Sequence, residues 1–452
     1  MAIDLKGKEV SVIGAGRTGV AAATTVKALG GIPFVSDSDE AMSATAGRQL
    51  SDLEIEAEFG RHSDRIFESD MVIVSPGVPS RSEVITRAKG RNITVWPEIE
   101  LAFQLCRGKI VGVTGSNGKT TTVTLIGEIL KKAGREVYVC GNIGHPFISV
   151  SRDISEKGVA VVELSSFQLE LIDKFRPDIA VFLNLTPDHL DRHGDLGSYL
   201  AAKMRIFENQ TANDVAIINY DDKFLKENCR SLKAVTRWFS VGESLDDGVY
   251  AHAEGDFMLY GKKIMPSTDL KIRGIHNLSN ACAAAGAAWA LGIKAESIVE
   301  VLKTFPGVEH RLEPVRLIGG VSFINDSKGT NVDSVRWALM AVSAPVILIA
   351  GGKDKDSDFT TLNDLVRDKV KCAVLMGQAA PKILEAWNGV TECKSADSMR
   401  DAVGTAFDCA APGDTVLLSP ACASFDMFDN FEHRGRVFKE IVNEMASSGV
   451  KS

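Results

Sequence analysis

The chain has 452 residues, of which 45% are hydrophobic and 24% charged, and its formal net charge of -8 argues against a general affinity for nucleic acid or anionic membranes. At roughly 150 residues per domain, this length predicts three domains. The amino end lacks a signal-peptide pattern, no apolar run reaches the roughly 18 residues of a membrane span, and the eight cysteines are scattered, so we expect a cytoplasmic protein with reduced thiols and no zinc cluster.

The first section of the chain alternates strand and helix patterns up to residue 97, after which an acidic helix start follows. Short apolar runs bounded by turn residues predict strands, and a longer run with helical spacing predicts a helix. We therefore expect a Rossmann-like domain over residues 1–97. Its predicted elements are strands at 9–13, 32–36, 71–74 and 93–97 and a helix at 19–29.

The turn after the first predicted strand, Gly14-Ala-Gly-Arg-Thr-Gly19, matches the G-x-G-x-x-G fingerprint of dinucleotide-binding folds, and Asp37 follows about 20 residues later. Taken alone, this turn suggests NAD and a nicotinamide-dependent oxidoreductase. The turn itself only directs a helix amino terminus towards a pyrophosphate, which a UDP-sugar also carries. A close strand–helix packing turn without any ligand is a further alternative.

The second section, residues 98–307, repeats the alternation and predicts a mainly parallel sheet covered by helices on both faces. Short runs separated by turn residues between 238 and 272 predict an antiparallel insertion, and an alanine-rich helix is expected from 275 to 291. The other predicted strands of this section lie at 109–113, 137–140, 159–163, 179–183 and 215–219.

The segment from Gly112 to Thr122 carries the strongest signal, because Gly-Val-Thr-Gly-Ser-Asn-Gly-Lys-Thr-Thr-Thr joins a predicted strand to a predicted helix. Its glycines let backbone N–H groups close around a phosphate, Lys119 supplies a charge for the β- and γ-phosphates, and the Thr120 hydroxyl can ligate Mg2+. A glycine-rich turn that binds nothing is the alternative. We predict that this segment is a phosphate-binding loop for ATP.

Two further polar residues, Glu163 and His189, follow predicted strands of the same section. Because the carboxyl ends of neighbouring parallel strands meet at one edge, both side chains are predicted to reach the phosphate site, where Mg2+ would bind. A carboxylate is an ordinary ligand of this ion and histidine a less usual one, and each residue alone could equally be a satisfied turn residue. Lys203 has the spacing of an ordinary solvated helix lysine, which predicts no chemistry.

The third section, residues 308–452, again alternates predicted strands, at 321–325, 346–350, 373–376 and 415–418, with helices. Polar loops follow several of these strands and bring cations and small hydroxyls to one rim of the sheet. Such a rim suits a substrate that carries a carboxylate. The rim residues are Asp326, Lys328, Thr330, Lys355 and Ser424, whereas Lys353, Asp354 and Asp356 are expected to cap loops.

Taken together, these segments resemble the Mur ligase family over essentially the whole chain. Some of the shared motifs mark the family as a whole, and others mark its branch that adds D-glutamate. The family motifs are Gly-Ser-Asn-Gly-Lys-Thr-Thr at 115–121, Asn-Asp-Ser-Lys at 325–328 and His310-Arg311, and the branch motifs are Gly-Asn-Ile-Gly at 141–144 and the segments 163–170, 184–193, 419–426 and 430–435.

This resemblance implies an α/β protein of three domains: a Rossmann-like N-terminal domain for a UDP-sugar, a central P-loop domain with a mainly parallel sheet for ATP, and a Rossmann-like C-terminal domain for an amino acid. It implies a monomeric, ATP- and Mg2+-dependent ligase that adds D-glutamate to UDP-N-acetylmuramoyl-L-alanine through an acyl phosphate. Such a ligase serves peptidoglycan precursor synthesis, and through it cell wall biogenesis, cell shape and cell division.

The resemblance also assigns roles to single residues. Lys203 resembles the lysine that family members carry as a carbamate, which would turn a cation into an oxygen ligand for a metal. The implied catalytic residues are Lys119, His189, Lys203 and Arg311; the metal ligands Thr120, Glu163, His189 and Lys203; the ATP contacts Gly115, Ser116, Asn117, Gly118, Lys119, Thr120, Thr121, Asn280, Arg311 and Asp326; the UDP-sugar contacts Thr18, Asp37, Ser75, Gly77, Asn142 and His189; and the D-glutamate contacts Lys328, Thr330, Lys355, Ser424 and Phe431.

One position departs from the family pattern. Asp39, in Asp37-Ser-Asp39, stands where some relatives carry an arginine that grips uracil or diphosphate. Arg17 is the candidate cation to replace it.

Three alternatives to this ligase stay open from the sequence. An NAD-dependent oxidoreductase would leave the phosphate loop unexplained, and a non-catalytic nucleotide switch would leave the polar rim of the third section unexplained. Folylpolyglutamate synthetase, within the same family, is disfavoured by the D-glutamate-type motifs.

Overall fold

A computed structural model describes residues 3–447 and contains three β-sheets flanked by helices. The first sheet consists of β1 (Glu9–Ile13), β2 (Ile32–Asp37), β3 (Glu56–Phe59), β4 (Met71–Val74) and β5 (Thr94–Pro97). Its strands are all parallel, in the order β3-β2-β1-β4-β5. The sequence does not predict β3, because its four residues are half-buried or exposed and form no apolar run.

The helices of this part of the chain are α1 (Arg17–Ala28), α2 (Arg48–Asp52), α3 (Glu83–Gly90) and α4 (Glu98–Leu105). The helix α1 begins two residues before the predicted start, with Gly16 as its N-cap residue. The first turn of α1 therefore follows the glycine-rich turn directly. The first backbone N–H groups of α1, which have no acceptor within the helix, lie at the carboxyl edge of the first sheet.

The second sheet has nine strands in the order β14-β13-β12-β11-β10-β9-β6-β8-β7. These strands are β6 (Lys109–Thr114), β7 (Val137–Gly141), β8 (Val159–Glu163), β9 (Ile179–Phe182), β10 (Val215–Asn219), β11 (Val235–Ser240), β12 (Gly248–Ala251), β13 (Asp256–Leu259) and β14 (Lys262–Pro266). All five residues of β8 are buried, as expected for a parallel strand covered on both faces.

The predicted antiparallel insertion between 238 and 272 is only partly correct. The strand β11 pairs in parallel with both β10 and β12, whereas the pairs β12–β13 and β13–β14 are antiparallel. All four strands extend the second sheet instead of forming a separate insertion. Turn residues between short strands predict a change of direction, but they do not determine which strands pair.

The helices between 119 and 304 alternate with the strands of the second sheet. The alanine-rich helix predicted from residue 275 is present and ends at Ala290. These helices are α5 (Lys119–Lys132), α6 (Phe147–Val150), α7 (Ser166–Leu169), α8 (Leu190–His193), α9 (Leu196–Met204), α10 (Lys223–Asn228), α11 (Ile275–Ala290) and α12 (Ala295–Thr304).

The third sheet has six strands in the order β15-β16-β20-β17-β18-β19, and only the edge strand β15 is antiparallel to its neighbour. Its strands are β15 (Glu313–Ile318), β16 (Val321–Asn325), β17 (Val346–Gly351), β18 (Val370–Met376), β19 (Glu392–Ser395) and β20 (Thr415–Leu418), and its helices are α13 (Val332–Ala341), α14 (Asn363–Lys369), α15 (Ala380–Trp387), α16 (Met399–Cys409) and α17 (Phe431–Ser447).

The described residues form two compact units. The first runs up to Leu185 and also includes Gly194–Leu270 and Leu278–Thr304, so it contains the first two sheets. The second includes Thr186–His193, Lys271–Asn277 and the chain from Phe305 onward, with the third sheet. The predicted α/β class with three sheets is confirmed, whereas the domain boundaries at residues 97 and 307 stay predictions.

Two expectations from composition can be compared with this fold. Within residues 3–447, no helix is long and apolar enough to cross a membrane. The eight cysteines, all within residues 3–447, are free thiols.

Glu98 opens α4 with a fully buried carboxyl group. Its Oε1 accepts a hydrogen bond of 2.6 Å from the Ile148 N–H, and its Oε2 has no hydrogen-bond partner among residues 3–447. Burial raises the pKa of Glu98 from 4.5 to about 7. The folded protein therefore holds this proton more tightly than the unfolded chain does.

We expect the stability that the protonated Glu98 contributes to be complete below pH about 4.5 and to be lost as the pH rises through about 7. Since one pKa unit corresponds to about 1.36 kcal/mol, Glu98→Gln should raise the free energy of unfolding at pH 8 by up to about 3 kcal/mol relative to the native chain. Urea titrations at pH 5 and pH 8 measure this difference. Glu156→Gln, at an exposed position, is the matched control, and an equal effect of Glu98→Gln at both pH values would contradict the assignment.

Candidate nucleotide and substrate sites

The phosphate loop lies between β6 and α5, at the carboxyl edge of the second sheet. Gly115 and Gly118 have φ angles of 148° and 85°, which glycine adopts without strain. A β-carbon on Gly118 would lie 2.2 Å from Asn280 Oδ1, so only a glycine lets α11 approach the loop this closely. The structure therefore places Asn280 beside the loop, where the sequence predicts an ATP contact.

Lys119 begins α5 and turns its side chain back over the loop. Its Nζ donates hydrogen bonds to the carbonyl oxygens of Gly115, at 2.8 Å, and Ser116, at 2.7 Å. The ammonium charge therefore lies on the loop itself, at the amino end of α5, where helix N–H groups also favour an anion. This arrangement suits a triphosphate.

Asn184, which follows β9, fastens the loop and has no role assigned from the sequence. Its backbone oxygen accepts from the Ser116 N–H at 3.0 Å, and its Oδ1 accepts from the Asn117 N–H at 2.8 Å. Its Nδ2 donates in turn to the Asn117 carbonyl oxygen at 3.1 Å. The sequence signals for this role are the position of Asn184 after a strand adjacent to β6 and its place at the start of the branch motif 184–193.

Glu163, at the end of β8, is buried between two polar partners. Its Oε2 accepts from the Thr120 hydroxyl at 2.8 Å, and its Oε1 accepts from Asn142 Nδ2 at 3.1 Å. Hydroxyl and carboxylate oxygens are the donors that Mg2+ prefers, so this pair fits a magnesium ion beside the phosphate loop. Three strand ends, those of β6, β7 and β8, converge here.

Lys203 is 1% exposed, so the ordinary solvated-lysine reading of its helix position is wrong. Its Nζ donates to the Gly115 carbonyl oxygen at 2.9 Å and lies 3.4 Å from Thr114 Oγ1. The Tyr199 ring centroid lies 4.7 Å from the same nitrogen. Burial of a cation costs free energy unless such partners compensate for the lost water. The spacing of residues in α9 does not reveal that Lys203 is buried, because the loop that covers it is distant in sequence.

His189 lies in the second unit, unlike Thr120, Glu163 and Lys203. Its φ angle of 55° is uncommon for a residue with a side chain and indicates a local constraint. Its Nε2 lies 3.7 Å from Asp188 Oδ2. Its role as a metal ligand and as a contact of the UDP-sugar stays a prediction.

A cavity of about 650 Å3 opens at the carboxyl edge of the first sheet. The glycine-rich turn, the end of β2 and the loop after β4 form one side of it, and the loop after β7 contributes to it as well. Five of the residues predicted to contact a UDP-sugar line this cavity: Thr18, Asp37, Ser75, Gly77 and Asn142.

Hydrogen bonds within the cavity wall fix the glycine-rich turn. Asp37 Oδ2 accepts from the Ala15 N–H at 2.6 Å, and the Ser75 hydroxyl donates to the Gly14 carbonyl oxygen at 2.9 Å. Both Asp39 and Arg17 line the cavity, and the role of Arg17 as the replacement for the missing arginine stays a prediction.

The sequence does not indicate two further lining residues, His62 and Gln168. His62 Nδ1 lies 2.7 Å from Ser36 Oγ, and burial lowers the pKa of its imidazole. His62 lies outside every motif, and Gln168 lies in the branch motif 163–170 without an assigned role, so only the folded chain brings them to the cavity.

In the second unit, β16, β20 and β17 are neighbours, and the three predicted polar loops follow their carboxyl ends. Lys328 Nζ lies 5.0 Å from the Phe431 ring centroid, and the Ser327 hydroxyl donates to the Phe431 carbonyl oxygen at 2.8 Å. Ser424 is buried, and Lys355 lines a separate cavity. The predicted polar loops therefore lie at one edge of the third sheet, although Lys328 and Ser424 do not line the cavity that Lys355 lines, and their binding roles stay predictions.

Arg434 is 2% exposed and joins two of these loops. Its guanidinium donates to Ser327 Oγ at 3.0 Å, to the Ser327 carbonyl oxygen at 2.8 Å and to the Cys422 carbonyl oxygen at 3.2 Å. Burial lowers the pKa of Arg434 to about 10, which still leaves it charged at neutral pH. Arg434 thus holds the loop that carries Lys328 against the loop that carries Ser424.

Asp326 and Arg311 lie close enough in the second unit to interact electrostatically. Burial raises the pKa of Asp326 to about 6, although Arg311 opposes that change. The Ser419 hydroxyl donates to Asp326 Oδ2 at 2.7 Å, and the Leu312 N–H donates to Oδ1 at 3.2 Å. Arg311 Nε is buried without a hydrogen-bond partner within residues 3–447. The ATP contacts predicted for both residues stay predictions.

The protein has three β-sheets flanked by helices, a phosphate loop, and a cavity beside the glycine-rich turn. These features define a multidomain nucleotide-binding protein of the P-loop type. Residues 8–96 match the family described as "Mur ligase MurD-like, N-terminal domain", residues 113–288 match "Mur ligase middle domain", and residues 310–422 match "Mur ligase, glutamate ligase domain". The chain belongs to the Mur ligase family, which confirms the resemblance seen in the sequence.

Similar proteins agree with this assignment. The UDP-N-acetylmuramoylalanine--D-glutamate ligase of Koribacter versatilis is 44% identical over 99% of this chain and 100% of that protein. The ligase of the same name from Pelodictyon phaeoclathratiforme is 42% identical over 98% of this chain and 100% of that protein. The crystal structure of a MurF ligase from Thermotoga maritima in complex with ADP has 19% identity and a TM-score of 0.61, covers 88% of this chain and 93% of that chain, and supports the fold alone.

Proposed function

We propose that this chain is an ATP-dependent ligase that adds D-glutamate to UDP-N-acetylmuramoyl-L-alanine, a cytoplasmic step of peptidoglycan precursor synthesis. The full-length similarity to ligases of that name supports the choice of substrates. An NAD-dependent oxidoreductase or a nucleotide switch would not account for matches to Mur ligase domains along the chain. The D-glutamate ligases in the comparison also favour this function over folylpolyglutamate synthetase.

The contact of Glu163 with both Thr120 and Asn142 is the observation that carries this proposal. Thr120 belongs to the phosphate loop, and Asn142 lines the cavity of about 650 Å3. A single buried carboxylate therefore connects the site proposed for ATP with the site proposed for the UDP-sugar. An enzyme that transfers phosphate from one nucleotide to a group on another needs these two sites side by side.

In the first step, an oxygen of the L-alanine carboxylate attacks the γ-phosphorus of ATP, and the bond from that phosphorus to ADP breaks. The product is an acyl phosphate. Lys119 would neutralise charge that gathers on the transferring phosphoryl group, since its ammonium already lies on the loop. Arg311 is the second cation proposed for this task.

In the second step, the ammonium of D-glutamate gives a proton to a base, for which His189 and a metal-bound group are the candidates, and its nitrogen attacks the activated carbonyl carbon. A tetrahedral intermediate forms, the carbon–oxygen bond to phosphate breaks, and an amide and inorganic phosphate result. Lys328, Thr330, Lys355, Ser424 and Phe431 are the residues proposed to bind D-glutamate.

Thr120 and Glu163 are the residues that fit Mg2+ on the evidence of their donor atoms. When bound, the ion would balance the negative charge of the phosphates. Lys203 and His189 are proposed as additional ligands, Lys203 as a carbamate. An intact-mass measurement with and without bicarbonate would detect that modification.

The function is tested by supplying UDP-N-acetylmuramoyl-L-alanine, ATP and Mg2+ with each common amino acid in turn. We expect phosphate release with D-glutamate and little with L-glutamate or any neutral amino acid. With 18O in the L-alanine carboxylate, the label should appear in the released phosphate, because that oxygen leaves with the phosphoryl group. Phosphate without label, or release that does not need the UDP-sugar, would refute the proposal.

Gly14→Ala should weaken the binding of the UDP-sugar. Gly14 has a φ angle of 93°, and a β-carbon there would lie 2.9 Å from Ser75 Cβ, so the turn beneath the diphosphate must shift. We expect the KM for UDP-N-acetylmuramoyl-L-alanine to rise about 10-fold or more, corresponding to about 1.4 kcal/mol, while the KM for ATP changes little. Gly7→Ala, at a positive φ with open space around the added carbon, controls for backbone strain alone.

A further inference from the structure

A cavity of about 380 Å3 in the second unit contains a carboxylate whose purpose is unassigned. Its walls come from the loop before α8, from the start of α13 and from the loop after β17. Lys355, already proposed to bind D-glutamate, lines it together with Asp188, Asn331 and Arg336. The other residues proposed to bind D-glutamate do not line this cavity, so only one end of the amino acid would lie here.

Asp188 is held in place by partners from all three walls. Its Oδ1 accepts from the His189 N–H at 2.9 Å and lies 3.5 Å from Lys355 Nζ. Its Oδ2 accepts from Asn331 Nδ2 at 3.1 Å. Only 9% of the Asp188 side chain is exposed, so the carboxylate is desolvated and fixed in orientation.

The other acidic residues of this cavity already serve the local structure. Asp333 Oδ2 lies 3.3 Å from the Thr186 hydroxyl and accepts from Trp337 Nε1 at 3.2 Å. Asp358 Oδ1 accepts from the Thr360 N–H at 3.0 Å, and Asp356 is exposed. Asp188 alone among them forms an ion pair with Lys355 within the described residues.

We propose that Asp188 binds the ammonium group of the incoming amino acid while Lys355 binds one of its carboxylates. This inference rests on the proposed function and deepens it. An amino acid is a zwitterion, and a lysine and an aspartate 3.5 Å apart offer the two complementary charges it requires. When the amino acid binds, the ion pair between Asp188 and Lys355 is replaced by two ion pairs, one from each residue to the substrate. Neither buried charge is therefore left uncompensated.

This arrangement has a consequence for selectivity. Glutarate carries both carboxylates of glutamate but no ammonium, so it would occupy the cavity without an ionic partner for Asp188. A charge-assisted hydrogen bond of this kind corresponds to roughly 10- to 100-fold in affinity. We therefore expect the native protein to prefer D-glutamate over glutarate by that factor.

The test compares the binding of D-glutamate and glutarate by calorimetry, with the protein saturated with UDP-N-acetylmuramoyl-L-alanine and ADP. In Asp188→Asn, the preference for D-glutamate should fall below about 3-fold, because the amide keeps the shape but not the charge. Asp188→Ser is the second variant, with the same expectation if Asp188→Asn does not fold. Asp356→Asn removes an exposed carboxylate from the same cavity and should keep the native preference.

A second readout separates this inference from the proposed function. Asp188→Asn should still form the acyl phosphate, which borohydride reduction traps, since this step precedes the attack of the amine. An unchanged preference for D-glutamate in a folded Asp188→Asn protein would overturn the role of Asp188 while leaving the ligase function standing. Failure of the native protein to form any acyl phosphate would overturn the function itself.

Discussion

Lys119→Ala should lower kcat for phosphate release by about 100- to 1,000-fold, the usual cost of removing one group that stabilises charge in a transition state. The Lys119 ammonium lies on the phosphate loop, 2.8 Å from the Gly115 carbonyl oxygen, where it can contact the transferring phosphoryl group. Binding of UDP-N-acetylmuramoyl-L-alanine should be nearly unchanged, because Lys119 does not line the cavity of about 650 Å3.

Phosphate release under saturating substrates and calorimetry with the UDP-sugar measure these two quantities independently. Lys131→Ala, an exposed position in the last turn of the same helix, is the matched control and should leave both unchanged. Normal turnover by Lys119→Ala would contradict the assignment of the loop to ATP.

Arg434→Met should have the largest effect on the second unit. The guanidinium satisfies the buried carbonyl groups of Ser327 and Cys422, and methionine fills similar space without a donor. Because each unsatisfied buried acceptor costs about 1–3 kcal/mol, we expect the free energy of unfolding to fall by at least about 2 kcal/mol. The KM for D-glutamate should rise more than the KM for ATP, since the two loops carrying Lys328 and Ser424 lose their connection.

Urea titration and steady-state kinetics test both parts of this prediction. Arg434→Lys retains the charge but replaces the planar fork of N–H donors with a compact ammonium, so it should recover stability only in part. Arg316→Met, at an exposed position of the edge strand β15, is the control for loss of an arginine. A KM for D-glutamate that stays at the native value would show that Arg434 does not position the pocket.

The sequence predicts the edge of each sheet at which the polar loops gather. Gly14 and Asp37, at the ends of two strands, are predicted to meet, and Asp37 does accept from the turn after Gly14. The same rule places Thr120 beside Glu163. It succeeds because strand direction and order in parallel α/β sheets follow from short-range patterns and right-handed connections.

Contacts between residues far apart in sequence could not be predicted in this way. Three such residues are Asn184, Arg434 and Asp188. Their residue types alone predict no role, because each role depends on hydrogen bonds or ion pairs with residues in other loops. The burial of Lys203 likewise depends on the phosphate loop, which is about 88 positions away. The parallel pairing of β11 with β10 and β12 is not predicted for the same reason, since local turn residues do not determine pairing.

Glu163 divides its two carboxylate oxygens between Thr120 and Asn142, and this has a thermodynamic consequence. If the carboxylate moves when ATP binds beside Thr120, its hydrogen bond to Asn142 in the proposed UDP-sugar site changes as well. The affinities for ATP and for the UDP-sugar are then linked. Linkage is reciprocal: the factor by which ATP changes the dissociation constant of the UDP-sugar must equal the factor by which the UDP-sugar changes that of ATP. One buried side chain thereby couples the two proposed nucleotide sites.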